Sequence, residues 1–327
     1  MRGAFVKSAV WSLVLVAGLL VSLAAFAFAS HALATNDAER HWRERPVVLL
    51  SDFGTVDRVE VTVLAGPKAD HDKGYVGEPG LSLRLDVDGT VWLFDLGLGA
   101  RDAQDTVRTN ARLAGVDLSE TDAVFLSHRH RDHMGGVSAE KSGRLDLTGM
   151  GRDDLRIVAP LSALDMPEHT VTEIAQPAVL GEGVASLGPI RRALFIGPVD
   201  EQAMILDVRD YGLIAVVGCG HQTLPKLAER VVEVFGRPVK AVIGDLHYPV
   251  PEGRLRVAGI DAQRWLASGG GPLSPAGQQD VEAFATWAFE SGTDLFLVGH
   301  DTHDTVLALP TVNSLAVGQV LILPEVD

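Results

Sequence analysis

Residues 126–136 read Leu126-Ser127-His128-Arg129-His130-Arg131-Asp132-His133-Met134-Gly135-Gly136: three histidines and an aspartate within six residues, directly after an apolar stretch at 122–126. At strand spacing His128 and His130 project to the same side, so two imidazoles can reach one ion. Asp132 and His133 then fall in the turn that leads to a helix, where adjacent side chains can aim at a second ion. Imidazole nitrogen and carboxylate oxygen at about 2.0–2.2 Å suit zinc, and suit iron or manganese as well. A solvated polar loop would account for the interleaved Arg129 and Arg131. It would not account for four ligand-type side chains at H-x-H-x-D-H spacing behind a buried strand.

On the N-terminal side of this run, residues 58–64 (RVEVTVL) and 81–87 (LSLRLDV) alternate with the period of a strand. Residues 91–96 (VWLFDL) pair with the second of these across the Asp88-Gly89 turn. Residues 103–114 have helical spacing, with Val107, Ala111 and Leu113 on one side. The second half repeats this grammar, with strands expected at 203–208, 213–217, 239–243 and 294–298 and helices at 224–235 and 278–289. Residues 249–275 are rich in Gly and Pro and read as an inserted surface loop with a short helix near Trp265. The expected fold is a single α/β domain (α+β in some schemes) over residues 35–327, its sheets covered by helices.

From Gly80 onward the chain resembles the metallo-β-lactamase superfamily, whose signature is the H-x-H-x-D-H run. Gly80-Leu81-Ser82-Leu83, Leu93-Phe94-Asp95-Leu96-Gly97 and Gly115-Val116-Asp117-Leu118 precede the run at the expected places. Val217-Gly218-Cys219-Gly220-His221, Ile243-Gly244-Asp245-Leu246-His247 and Leu297-Val298-Gly299-His300 come after it. The order looks like the branch named for dihydropterin-ribofuranosylaminobenzene-phosphate synthase. The resemblance implies a four-layer αββα sandwich with a metal site at one edge between the sheets. It implies that His128, His130 and His221 hold one divalent metal and that Asp132, His133 and His300 hold another, zinc first, with manganese or iron as alternatives. His247 and His303 are further candidates at the later positions. Asp95 is expected to orient a ligand histidine by accepting its other N–H.

One position departs from the pattern. Binuclear hydrolases of the superfamily place a metal-bridging aspartate where this chain has Gly218-Cys219. Either Cys219 lies at a metal, or Asp245 supplies the carboxylate, or there is no protein bridge. The implied activity is a metal-dependent hydrolase that uses a metal-bound hydroxide on a small ester, lactone, phosphoester or amide. Asp132 would position the hydroxide, and His247 or His303 would protonate the leaving group. Two other readings stay open on the same ligands: an iron-dependent oxidoreductase of the persulfide dioxygenase kind, and a non-catalytic exported metal-binding protein.

The composition narrows the field. With 28 Lys and Arg against 43 Asp and Glu, the formal charge of −15 disfavours a nucleic-acid partner and leaves a small-molecule substrate. The single cysteine excludes an intrachain disulfide framework. Ser127 and Ser162 do not lie in G-x-S-x-G, and Gly97-Leu98-Gly99, with Arg101 and Asp102 nearby, lacks the third glycine of a dinucleotide fingerprint. Residues 1–34 read as a targeting segment. Arg2 and Lys7 precede an apolar run at 9–29, and small-x-small sites end at Ala29 and Ala34. The run is either a cleaved signal peptide or an uncleaved membrane anchor. Both export the remainder of the chain, to a periplasmic, extracellular or membrane-tethered location, with membrane contact only through this segment.

Overall fold

The computed structural model describes residues 2–99 and 105–324. Two seven-stranded sheets face one another. The first runs, in spatial order, Val320–Leu323, Val59–Ala65, Ser82–Val87, Thr90–Phe94, Ala123–Phe125, Arg156–Pro160 and Thr170–Ile174. Its first four strands are antiparallel and the last four parallel. The second runs Val312–Ser314, Asp294–Leu297, Val239–Gly244, Gly212–Val217, Met204–Val208, Val184–Ser186 and Ala178–Gly181. Here the first four are parallel and the rest antiparallel.

The pattern of burial explains the layering. Val59, Val61 and Val63 point between the sheets with Leu83, Leu85, Trp92 and Phe125, meeting Met204, Leu206, Ile214, Val216 and Ile243 from the opposite sheet. Leu64, Leu93, Val124 and Ile157 point the other way, under the helix Thr106–Leu113 and the helix Val137–Ser142. On the far side, Ile205, Ala215, Val242 and Leu295 are covered by the helices Leu224–Phe235 and Gln278–Ser291. Strands buried on both faces lose strict alternation and read as apolar runs, as VIG at 242–244 and VV at 216–217 do. The architecture is αββα.

The expected strands and helices occupy their places with ends shifted by a few residues. The helix expected at 103–114 spans Thr106–Leu113, capped by Asp105, and positions 100–104 lie outside the described residues. The hairpin turns at Asp88-Gly89 with both residues at positive φ, 49° and 85°. The short helix near Trp265 is Ala262–Leu266. Short strands between 156 and 201 escape the sequence pattern because several, such as Thr170–Ile174 and Ala178–Gly181, are half exposed.

At the N-terminus one helix runs from Arg2 to Glu44 without a break at residue 34. Through residue 26 every described side chain is exposed, apolar ones included. From Phe28 on, one stripe lies on the domain. Phe28 and His31 meet the ring of Phe195 at 5.2 and 5.4 Å, and Ala38 is buried. Asp37 accepts from Arg191 at 3.1 Å and Glu39 from Lys226 at 2.7 Å. Trp42 lies between Arg45 and Lys226.

Candidate metal centre

Parallel strands of the two sheets end along one edge, and the loops that leave their carboxyl ends carry the candidate residues. Phe94 leads to Asp95, Phe125 to the 126–136 run, Val217 to 218–221, Gly244 to 245–248 and Leu297 to 298–302. His128 and His130 lie past the end of their strand, in the loop that turns after it. The turn still brings them together, with His128 Nε2 3.0 Å from His130 Nδ1. Gly220 stands between Cys219 and His221 at φ 81°, where a Cβ would strike the backbone of Leu246. Only glycine lets those two loops close on one point.

Three overlapping groups of ligand-type atoms result, the atoms within each lying within 4.8 Å of one another. They are His128, His130, Cys219 and His221; Asp132, His133, Cys219 and His300; and Cys219, His221, His247 and Asp301. Cys219 Sγ belongs to all three, 3.0 Å from His133 Nε2 and 3.2 Å from His300 Nε2. Both nitrogens of His221 and Nε2 of His247 are buried without a hydrogen-bond partner. Orphaned buried nitrogens are costly, and neutral imidazoles converging on a thiol form the donor set that a borderline-soft cation such as zinc takes up.

A ring of hydrogen bonds holds these side chains from behind. Asp95, fully buried and at φ 56°, accepts from Ser127 N at 2.7 Å and Ser127 Oγ at 2.6 Å, and pairs with His133 Nδ1 at 2.7 Å. His128 Nδ1 lies 2.9 Å from Ser127 Oγ. His133 and His128 therefore both turn Nε2 toward the centre, the arrangement in which an outer carboxylate or hydroxyl sets the tautomer. Asp245 stands outside the three groups. It lies 2.9 Å from His300 Nδ1, accepts from the backbone of Leu246 and Asp301, and is bonded by Thr302. His303 is turned away as the cap of the short helix Asp304–Leu307, accepting from Thr305 N. Two residues escaped the sequence reading. Asp301, 3.0 Å from His247 Nδ1, repeats in reverse the Asp132-His133 adjacency, which was the available signal. Glu201 accepts from the backbone N–H of Gly220 and His221 at 2.9 and 2.6 Å, and nothing in Asp200-Glu201-Gln202 signals that role.

The electrostatics divide the cluster. Burial, reinforced by neighbouring imidazoles, holds His128 and His221 well below the usual histidine range. Burial likewise takes His130 down to about 4, against the pull of Asp132. Burial opposes charge on His300 too, but the carboxylates of Asp301 and Asp245 prevail and lift it to about 10. His133 is raised in the same way, its burial outweighed by Asp95 and Asp132. Burial pushes the Cys219 thiol well up, helped by Asp301, Asp132 and Glu201. One half of the cluster is thus neutral and the other acid-paired.

The centre opens into a cavity of about 1180 Å³. Leu98, Arg131 and Ile196 form part of its wall, and the 249–275 segment supplies Arg254, Leu255, Gln263 and Ala267. That segment is tied to the loop 298–302 that carries the candidate ligand His300. Arg254 donates to the carbonyls of Gly299 and Thr302 at 3.0 and 3.3 Å, and Gln263 bonds Asp301.

No family model matches the chain. The chain is similar to the 7,8-dihydropterin-6-methyl-4-(beta-D-ribofuranosyl)-aminobenzene-5'-phosphate synthase of Methanocaldococcus jannaschii, 21% identical over 266 residues that cover 67% of this chain and 87% of that protein. Among solved structures it is similar to Tm1679, a metal-dependent hydrolase of the beta-lactamase superfamily, with a TM-score of 0.55 and 21% identity over 82% of this chain and all of that one. It is also similar to the metallo-beta-lactamase fold protein YhfI from Bacillus subtilis, at a TM-score of 0.49 and 17% identity over 81% of this chain and all of that one.

Proposed function

We propose that this chain, which has the metallo-β-lactamase fold, is a metal-dependent hydrolase acting on a small ester, lactone, phosphoester or amide at a binuclear centre. The observation that carries the reading is the convergence of buried imidazole nitrogens, three of them without partners, on the Cys219 sulfur. His128, His130 and His221 would hold one divalent cation, and Asp132, His133 and His300 the other. Cys219, whose sulfur belongs to both groups, would add a thiol donor. Ions held there would supply a hydroxide nucleophile at neutral pH and polarise the oxygen of the scissile bond.

The chain's own residues do the rest. Asp132, about a quarter exposed beside buried His133, faces the cavity and is placed to orient the nucleophile. His247, held by Asp301 and lining the same cavity, would give a proton to the leaving group. Asp95, Ser127, Asp245 and Glu201 fix ligand orientation without reaching the cavity wall. A cavity of this size suits a small molecule, and the net charge of −15 disfavours a polyanionic one.

The docked stripe on the N-terminal helix favours an uncleaved anchor over a cleaved signal. Cleavage after Ala34 would remove Phe28 and His31 from their seats on Phe195.

Elemental mass spectrometry on the purified full chain, followed by a chromogenic ester and phosphodiester panel, tests the proposal. About two zinc or manganese ions per chain, with turnover abolished in His128→Ala and Asp132→Ala variants that stay folded, is the expected result. Turnover retained in either variant would refute it, and a single iron would favour the oxidative reading.

A further inference from the structure

A second cavity, of about 390 Å³, adjoins the candidate metal centre. It shares His221, His247 and Ala267 with the first, so the two meet at the metal centre. Its walls mix apolar and aromatic groups, Leu194, Leu246, Phe284 and Trp287, with the polar side chains of Thr223, Ser268 and Ser274, and the Tyr248 ring lies 4.8 Å from that of Phe284. Two polar heads, the guanidinium of Arg192 and the phenol of Tyr248, line this space, and among the described residues neither has a hydrogen-bond or ion-pair partner. Arg192 comes from the strand Ile190–Leu194, and its partial burial is made possible by Gly269 at φ 86°, where a Cβ would collide with its Nε. Asp280, also on the wall, accepts from the backbone N–H of Gly277 at 2.8 Å, and its charge acts on Arg192 together with that of Glu39. Glu39, behind Arg192, is engaged by Lys226.

Arg192 and Tyr248 are both part-exposed, so solvent reaches the five N–H donors that arginine carries in a planar fork, and a ligand that enters the cavity can take them up in its place. Carboxylate and phosphate oxygens match that fork, and the phenol adds a further donor from the adjoining wall. The flat surfaces of Phe284, Trp287 and Tyr248 favour an aromatic or otherwise planar spacer. We infer that this second cavity is a substrate subsite for an oxyanion, a carboxylate or phosphate borne on a planar apolar group, held by Arg192 and Tyr248 while the reacting bond lies at the metal centre. The inference rests on the hydrolase reading for the word substrate, and on the cavity alone for the binding.

Calorimetric titration of the purified full chain with phenyl phosphate, benzoate and neutral benzyl alcohol tests it without requiring turnover, so a failed substrate panel leaves the result intact. Both anions should bind at least about tenfold more tightly than benzyl alcohol. Arg192→Gln should weaken both anions by about ten- to a hundredfold, the effect of losing a charge-assisted contact. Tyr248→Phe should weaken them less, by about three- to tenfold. Ala283→Trp, a change at an exposed helix position on the cavity mouth, should block binding with the far-ultraviolet circular dichroism unchanged. Binding of one anion alone would say which oxyanion the subsite takes. Anion affinity unaltered in both Arg192→Gln and Ala283→Trp would place the anions on the metal centre and overturn the subsite, as would no anion binding to the parent chain.

Discussion

Replacing Asp95 by Asn tests how the carboxylate behind the cluster sets the tautomer of His133 and, through Ser127 Oγ, that of His128. Asn tolerates the left-handed backbone at φ 56° and matches the carboxylate in shape, so the loop keeps its path. Its one amide oxygen can still accept from Ser127 N, now 2.7 Å from Oδ1. The amide NH₂ then faces His133 Nδ1, which in the parent chain lies 2.7 Å from Oδ2. Two donors cannot face each other, so the imidazole must turn Nδ1 into an acceptor and carry its proton on Nε2. That nitrogen is the one 3.0 Å from Cys219 Sγ and 3.2 Å from His300 Nε2, where a cation would bind. The wrong tautomer should weaken the affinity of the second metal by about ten- to a hundredfold, or about 1.4–2.7 kcal/mol. The metal proposed on His128, His130 and His221 should be weakened less, because it feels the change only through Ser127 Oγ, which bonds Asp95 at 2.6 Å and lies 2.9 Å from His128 Nδ1. Competition with a chelating dye gives the two affinities, and nitrogen NMR of the imidazole reports the tautomer. Two affinities within about threefold of the parent, or an Nε2 that stays unprotonated, would refute the reasoning.

Two further outcomes are expected from the same geometry. Cys219→Ser should abolish the near-ultraviolet thiolate-to-metal band of the cobalt-loaded protein and reduce metal content toward one ion per chain; a persisting band would show that the sulfur is not a ligand. Removing residues 2–26 should leave the urea midpoint unchanged, because no described side chain there is buried, whereas removing 2–44 should cost about 2–4 kcal/mol as Phe28, Ala38 and Trp42 leave their contacts. Equal stability of the two truncated chains would mean that the helix does not dock.

The fold was legible in the sequence because its strands have a simple signature. Inner and outer faces are both covered, so the strands show as short apolar stretches such as 239–243 and 294–298, or as alternation such as 58–64, ending at polar or glycine-marked loops, and all three became strands. The histidine run was legible for a related reason: its ligands are close in sequence, and their spacing alone announces chemistry. Asp95 was readable at the end of VWLF for the same cause.

The parts of the site that stayed undecided in the sequence are those that depend on contacts between distant loops. Cys219 could be a ligand, a bystander or a small hydrophobe until tertiary structure set its sulfur between His133 and His300, 86 and 81 residues away. Asp245 and His303 had equal standing as candidates, yet one stands behind His300 and the other caps a helix. Asp301 and Glu201 drew no attention because each acts through a partner brought near only by the packing of two sheets. Arg192 and Tyr248, far apart in sequence on a strand and a loop, share a cavity that no periodicity encodes. Sequence patterns report what a residue needs from its neighbours along the chain, whereas the surroundings of a buried charge or thiol are set by whichever strands the sheet order places side by side.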